Sequence, residues 1–75
     1  MNLDYILKIG DTIRDFEDRD CYYEGTIVSL RPLKYKINNI LWCGEKDVSM
    51  NSKVTSARFW YIQVLLNNNW FNIEE

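Results

Sequence analysis

An all-β fold in a single domain is the architecture this sequence predicts, and three observations predict it. Aromatic and β-branched residues gather in short runs such as CYYEGTIVSL and FWYIQVLL, and these types pack best on a pleated, half-buried surface. Turn-forming residues separate the runs, Pro32 and the Asn67–Asn68–Asn69 triplet among them. Finally, 75 residues leave room for one core, with three tryptophans, five tyrosines and three phenylalanines to fill it. A chain this short buries only ~60% of its extended surface, so large side chains must carry the driving force.

The elements follow in order. LDYILK, residues 3–8, reads equally as a helical turn with Leu3, Ile6 and Leu7 on one side, or as an entering strand. KIGDTIR, Lys8 to Arg14, alternates as a first full strand does, with Gly10 at a bulge or bend. The acid-rich DFEDRD after it is expected to be a solvated loop. CYYEGTIVSL is the clearest strand, with Tyr23, Gly25 and Ile27 inward, Tyr22, Glu24 and Thr26 outward, and Pro32 as its stop. Gly25 lets that strand coil sharply. In LKYKINNILWCG, Tyr35 and Ile37 share one face and Lys34 and Lys36 the other, with a bulge at Asn38–Asn39. EKDVSMNSKVTS, residues 45–56, is polar without a sustained period and is expected to be the longest loop. ARFWYIQVLL offers Trp60, Ile62, Val64 and Leu66 to the interior. The asparagine triplet tolerates positive φ and supplies a hairpin turn. WFNIE then returns with Phe71 and Ile73 inward. Five strands in this order predict a small antiparallel SH3-like barrel spanning residues 1–75. An OB-like barrel is the second solution, but it commonly has a helix where this chain is rich in serine and asparagine.

Charge narrows the function. Nine Lys and Arg stand against eleven Asp and Glu, a net charge of −2. That argues against a dedicated nucleic-acid binder, whose affinity comes from neutralising phosphates. Acids cluster at Asp11, Asp15, Glu17, Asp18, Asp20 and Glu24, and a basic patch follows at Arg31, Lys34 and Lys36. This two-sided layout suits a protein partner. No apolar run reaches the ~20 residues that span a bilayer. The start, MNLDYILKIG, has neither the basic segment nor the cleavage site of a signal peptide, so a cytoplasmic location is expected, with no membrane partner.

Catalytic and cofactor motifs are absent from the sequence. The chain has no histidine, the commonest general base, and no nucleophile-elbow serine. Cys21 and Cys43 fit no metal spacing and no CxxC motif. They are expected as small buried hydrophobes in a reducing cytosol, although two strand-borne cysteines facing each other would be able to bridge. The acidic stretch Asp15–Asp20 lacks the spaced ligands and glycine of a calcium loop. No enzyme, no cofactor and no metal is expected.

The stretch IGDTIRDFEDRDCYYEGTIVSL resembles Tudor-like and related SH3-like barrels. More closely, it is similar to a small family of single-domain proteins encoded by phages of aquatic bacteria. The matching positions are Gly10, Asp11, Arg14, Cys21, Tyr22, Glu24, Gly25, Tyr35, Ile37, Trp42, Gly44 and Glu45, within residues 9–48. The resemblance implies a phage or viral origin and a partner that is a host factor or another viral component. Tudor-like barrels bind methylated lysine or arginine in an aromatic cage. The candidates for such a rim site are Phe16, Tyr22 and Trp42 with the acids Glu45 and Asp47. The alternative is a weak single-stranded nucleic-acid binder using Arg31, Lys34, Tyr35, Lys36 and Lys46 as a basic and aromatic strip. The strand Phe59–Leu66 also offers an edge for a homodimer.

Overall fold

Tight turns rather than loops join most of the strands. The computed structural model describes residues 2–58 and 61–73. Strand β1 is a two-residue segment, Asn2–Leu3, and residues 4–11 follow without helix or strand. LDYILK is therefore neither a helical turn nor a strand beyond Leu3. Tyr5 and Leu7 pack against the core, while Ile6 is exposed. The chain reverses at Gly10, whose φ is 97°. Asp11 fixes that reversal, accepting hydrogen bonds from the Lys8 backbone at 2.8 Å and the Tyr5 hydroxyl at 3.1 Å.

Strand β2 is Thr12–Asp18, displaced toward the C-terminus from the expected Lys8–Arg14. Asp15 and Phe16 are thus strand residues, not loop residues. The connection to β3, Cys21–Leu30, shrinks to Arg19–Asp20 with a bulge at Glu17. Arg31–Pro32, joined by a cis peptide, turns β3 into β4, Leu33–Trp42. Register shifts leave Val28 and Asn38 as extra residues in this ladder, and such bulges bend a sheet toward closure.

The expected loop at 45–56 contains two strands instead. β5, Glu45–Asp47, pairs with Ile40–Trp42, and β6, Val54–Ser56, pairs with Lys34–Lys36. Both line the same edge of β4. They are polar because they lie at the sheet margin, and three residues are too few to display a period. β7, Tyr61–Leu66, runs antiparallel to β2, and β8, Asn69–Ile73, to β7. Asn67 and Asn68 join them with φ values of 51° and 64°, the positive pair that a type I′ turn requires. β1 adds to β8 in parallel, giving the order β1-β8-β7-β2-β3-β4-β5 with β6 also on β4. The five long strands correspond in order to those expected, the first of them displaced, and among the described residues three short ones bring the sheet to eight. Among the described residues no ladder joins the β1–β8 margin to β5 or β6.

Cross-strand partners share a face and successive residues alternate, so the sheet sorts into rows. One inner row is Phe71, Val64, Ile13, Gly25 and Ile37, and the next is Ile62, Asp15, Tyr23 and Ile40. Ile13, Ile27, Tyr35, Ile37, Ile40 and Val64 form the buried core. The inward positions expected on the last two strands, Ile62, Val64, Leu66, Phe71 and Ile73, all join or touch it. Trp60 lies outside the described residues. Gly25 makes the close packing possible. A Cβ there would stand 2.5 Å from the Tyr35 ring and would run into the Lys36 carbonyl. With no side chain at 25, the Tyr35 ring lies across that strand and its hydroxyl reaches Asp15.

Candidate functional site

The outer face of the same sheet carries an unusual side-chain set for a surface. One outer row is Tyr61, Phe16, Tyr22, Leu41 and Lys46, and the next is Asn72, Gln63, Arg14, Glu24 and Asn39. Phe16 stacks on Tyr61 with ring centres 4.8 Å apart and 3° between planes, and it tilts at 45° against Tyr22 at the same distance. Covered from both sides, Phe16 is only 6% exposed although it faces away from the core. The Arg14 guanidinium lies 4.0 Å from the centre of the Trp70 ring and 4.6 Å from that of Tyr22. Its Nε donates to Glu24 Oε1 at 2.9 Å. Gln63 Nε2 donates to Asn72 Oδ1 at 2.7 Å beside it. Tyr22, Leu41, Tyr61, Leu65 and Trp70 are half-buried around this centre. The face therefore sets a packed aromatic centre beside a polar row, with one arginine lying against two rings.

The expected rim patch divides across the sheet. Phe16 and Tyr22 belong to the outer face, whereas Trp42 packs edge-on against Tyr23, 6.0 Å between centres, on the opposite side. Glu45 and Asp47 pair with Trp42 and Ile40 and so follow Trp42. Alternation along β3 is the reason, since adjacent Tyr22 and Tyr23 must point to opposite faces. Trp42, Glu45, Lys46, Asp47, Val48 and Ser49 line a shallow groove of about 520 Å³. The Ser49 backbone N–H donates to Asp47 Oδ1 at 2.8 Å, and bonds from Ser49 hold the Asp47 carboxyl below its ordinary range. The expected cage of Phe16, Tyr22 and Trp42 is not assembled.

The basic strip also changes. Tyr35 is fully buried and offers no ring to a nucleotide. Arg31, Lys36 and Lys46 are exposed and Lys34 is half-buried, with Lys34, Lys36 and Lys46 on the outer-face side of their strands. The homodimer edge fails for residues 61–66, because β7 is paired on both sides, by β2 and by β8. Phe59 lies outside the described residues.

Inside, the carboxylate of Asp15 is fully buried. It accepts a hydrogen bond from the Tyr35 hydroxyl at 2.7 Å and one from the Arg58 backbone N–H at 3.0 Å. Burial, then the bond to and charge of Asp15, push the Tyr35 phenol far above the usual tyrosine range, with the Arg58 charge pulling the other way. Cys21 is buried as expected, but Cys43 is exposed, and their sulfurs stand 3.4 Å apart.

Sequence reasoning missed Asp15, Tyr61 and Trp70. Asp15 looks like one of four acids in the expected loop DFEDRD, and only the Ile13–Asp15 alternation marks it as inward. In the sequence Tyr61 stands out only as part of the Phe59–Leu66 edge and Trp70 only as the start of the last strand, though the same alternation places both outside with Arg14. Among the described residues no helix is long and apolar enough to cross a membrane. Comparison with family models, with curated proteins and with solved structures finds no match to this chain.

Proposed function

We propose that this protein is a small non-enzymatic interaction module that docks a protein partner on the outer face of its sheet. The single observation behind the reading is Arg14 held between Trp70 and Tyr22, beside the Phe16–Tyr61 stack. Trp, Tyr and Arg are the residues that dominate interface energetics, and side chains already locked in place lose little entropy on binding. Lys36 and Lys46 border this apolar centre on the β4 and β5 side. The matching partner surface has an apolar centre and is acidic on that side, while beside Tyr61, where Glu17, Asp18 and Arg19 line a shallow groove, the charge to be matched is mixed. The resemblance over residues 9–48 supports an SH3-like module of phage or viral origin, acting on a host factor or another viral component in the host cytoplasm.

A single-stranded nucleic-acid reading draws on one observation, the lysines at 34, 36 and 46 on the outer-face side. Base stacking needs open ring faces, and here Phe16 occupies one face of Tyr61, Arg14 lies over Trp70, and both approach Tyr22, which leaves fewer faces for bases. The protein reading is therefore preferred.

Capture from host lysate with three baits tests it: wild type, a Tyr22→Ser/Trp70→Ser variant and Trp42→Ala. The proposal expects a partner retained by wild type and by the Trp42 variant and lost by the outer-face variant. Equal retention by all three, from folded baits, contradicts it. Oligonucleotide binding with a steep log–log salt slope would favour the nucleic-acid reading instead.

A further inference from the structure

Two turns lie side by side at one end of the sheet, and each carries one of the chain's two cysteines. Cys21 follows the Arg19–Asp20 turn, and Cys43 with Gly44 forms the turn between β4 and β5. The turns are tied together through Cys43, whose backbone N–H donates to the Asp20 carbonyl at 2.9 Å and lies 3.3 Å from Cys21 Sγ. Both side chains are free thiols, with sulfurs 3.4 Å apart. Cys43 also holds a φ of 53°, in the left-handed region that favours glycine and asparagine. A cysteine thus occupies a turn position that its backbone conformation disfavours, and its sulfur meets the other cysteine.

We propose that Cys21 and Cys43 form a redox modification site, a facing dithiol that a low-molecular-weight disulfide oxidises to an intramolecular disulfide. The exposed Cys43 thiolate attacks one sulfur of the small disulfide and expels one thiolate, leaving a mixed disulfide on Cys43. The neighbouring Cys21 thiolate then attacks Cys43 Sγ and expels the second. Two protein thiols are oxidised, one small disulfide is reduced to two thiols, and the protons lost by the protein go to the departing thiolates. The hydrogen bond to Cys21 and the charge there push the Cys43 thiol up, and Glu17 and Asp18 add to the effect. The first attack is consequently slow near neutral pH. In a reducing compartment the pair rests as thiols, and an oxidising shift locks the two turns together.

Wild-type protein, folded and reduced, is equilibrated in glutathione buffers of rising disulfide content, acid-quenched, alkylated and weighed intact. The proposal expects a monomer two hydrogens lighter that takes up no alkylating reagent. Because the crosslink constrains the unfolded chain, its Tm should rise by about 10–30 °C. Cys21→Ser should instead accumulate glutathione on Cys43. The wild-type mass decides the matter even if that variant fails to fold. Stable glutathione adducts on wild type, disulfide-linked dimers, thiols that stay alkylatable in the most oxidising buffer, or a bridge that forms only in denaturant would each overturn it.

Discussion

The hydroxyl of Tyr35 donates a 2.7 Å hydrogen bond to the fully buried carboxylate of Asp15, joining β4 to β2 through the interior, across β3. A carboxyl group at that depth is tolerated only with hydrogen-bond partners, and Tyr35 and the Arg58 backbone supply two of them. Tyr35→Phe keeps the ring and its packing but removes one donor. Leaving a buried acceptor short of a partner costs about 1–3 kcal/mol, so urea denaturation should show a loss of that size. A change within error would place the carboxylate elsewhere.

The same contact sets a pH dependence. The Tyr35 pKa is raised in the folded state, so its contribution to stability is complete below the unfolded tyrosine value and declines as pH climbs above it. Wild-type stability should therefore fall beyond about pH 10, where unfolded tyrosine ionises and the folded phenol does not. Tyr35→Phe should flatten this alkaline decline, measured as urea midpoints across the pH series.

Gly25→Ala tests the close approach of strands. The added methyl meets the Tyr35 ring at 2.5 Å and the Lys36 backbone carbonyl, and backbone cannot step aside as a flexible side chain does. Overpacking of this kind costs roughly 1–3 kcal/mol. The substitution should lower Tm, and in a double-mutant cycle with Tyr35→Leu the combined loss should be smaller than the sum of the two single losses. Additive losses would mean that the ring is not the obstacle.

Arg14 should matter more to the outer face than its ion pair with Glu24 does. That pair is partly solvated, with side chains 26% and 21% exposed, and pairs of this kind are worth about 0.2–1 kcal/mol. The guanidinium adds contact with two rings, at roughly 0.5–1 kcal/mol or more for each. Arg14→Ala should accordingly destabilise more than Glu24→Gln. Arg14→Lys should fall between them, because an ammonium cannot lie flat between Tyr22 and Trp70. Equal effects from all three would reduce Arg14 to a surface charge.

Much of the framework is legible in the order of residues, and the exceptions share a cause. CYYEGTIVSL alternates because one face of β3 packs on the core, and Asn67–Asn68 mark their turn through conformations that few side chains accept. The bulge at Asn38 is readable for a similar reason. Short range patterns fail where burial comes from the far side of the sheet. DFED looks like a solvated loop because Asp15 is paired by Tyr35, twenty residues away in sequence. Phe16 looks like a rim residue of that loop, but Tyr61 covers it from a strand that adjoins β2 only in the folded chain. The sequence likewise suggests one binding face at Phe16, Tyr22 and Trp42, although alternation at Tyr22–Tyr23 already separates those rings.

That separation is the claim on which the functional reading rests, and side-chain proton–proton contacts in solution test it most directly. Nuclear Overhauser spectra should connect Phe16 with Tyr61, Arg14 with Trp70, and Tyr23 with Trp42. Contacts between the rings of Tyr22 and Trp42, with none between Arg14 and Trp70, would contradict it.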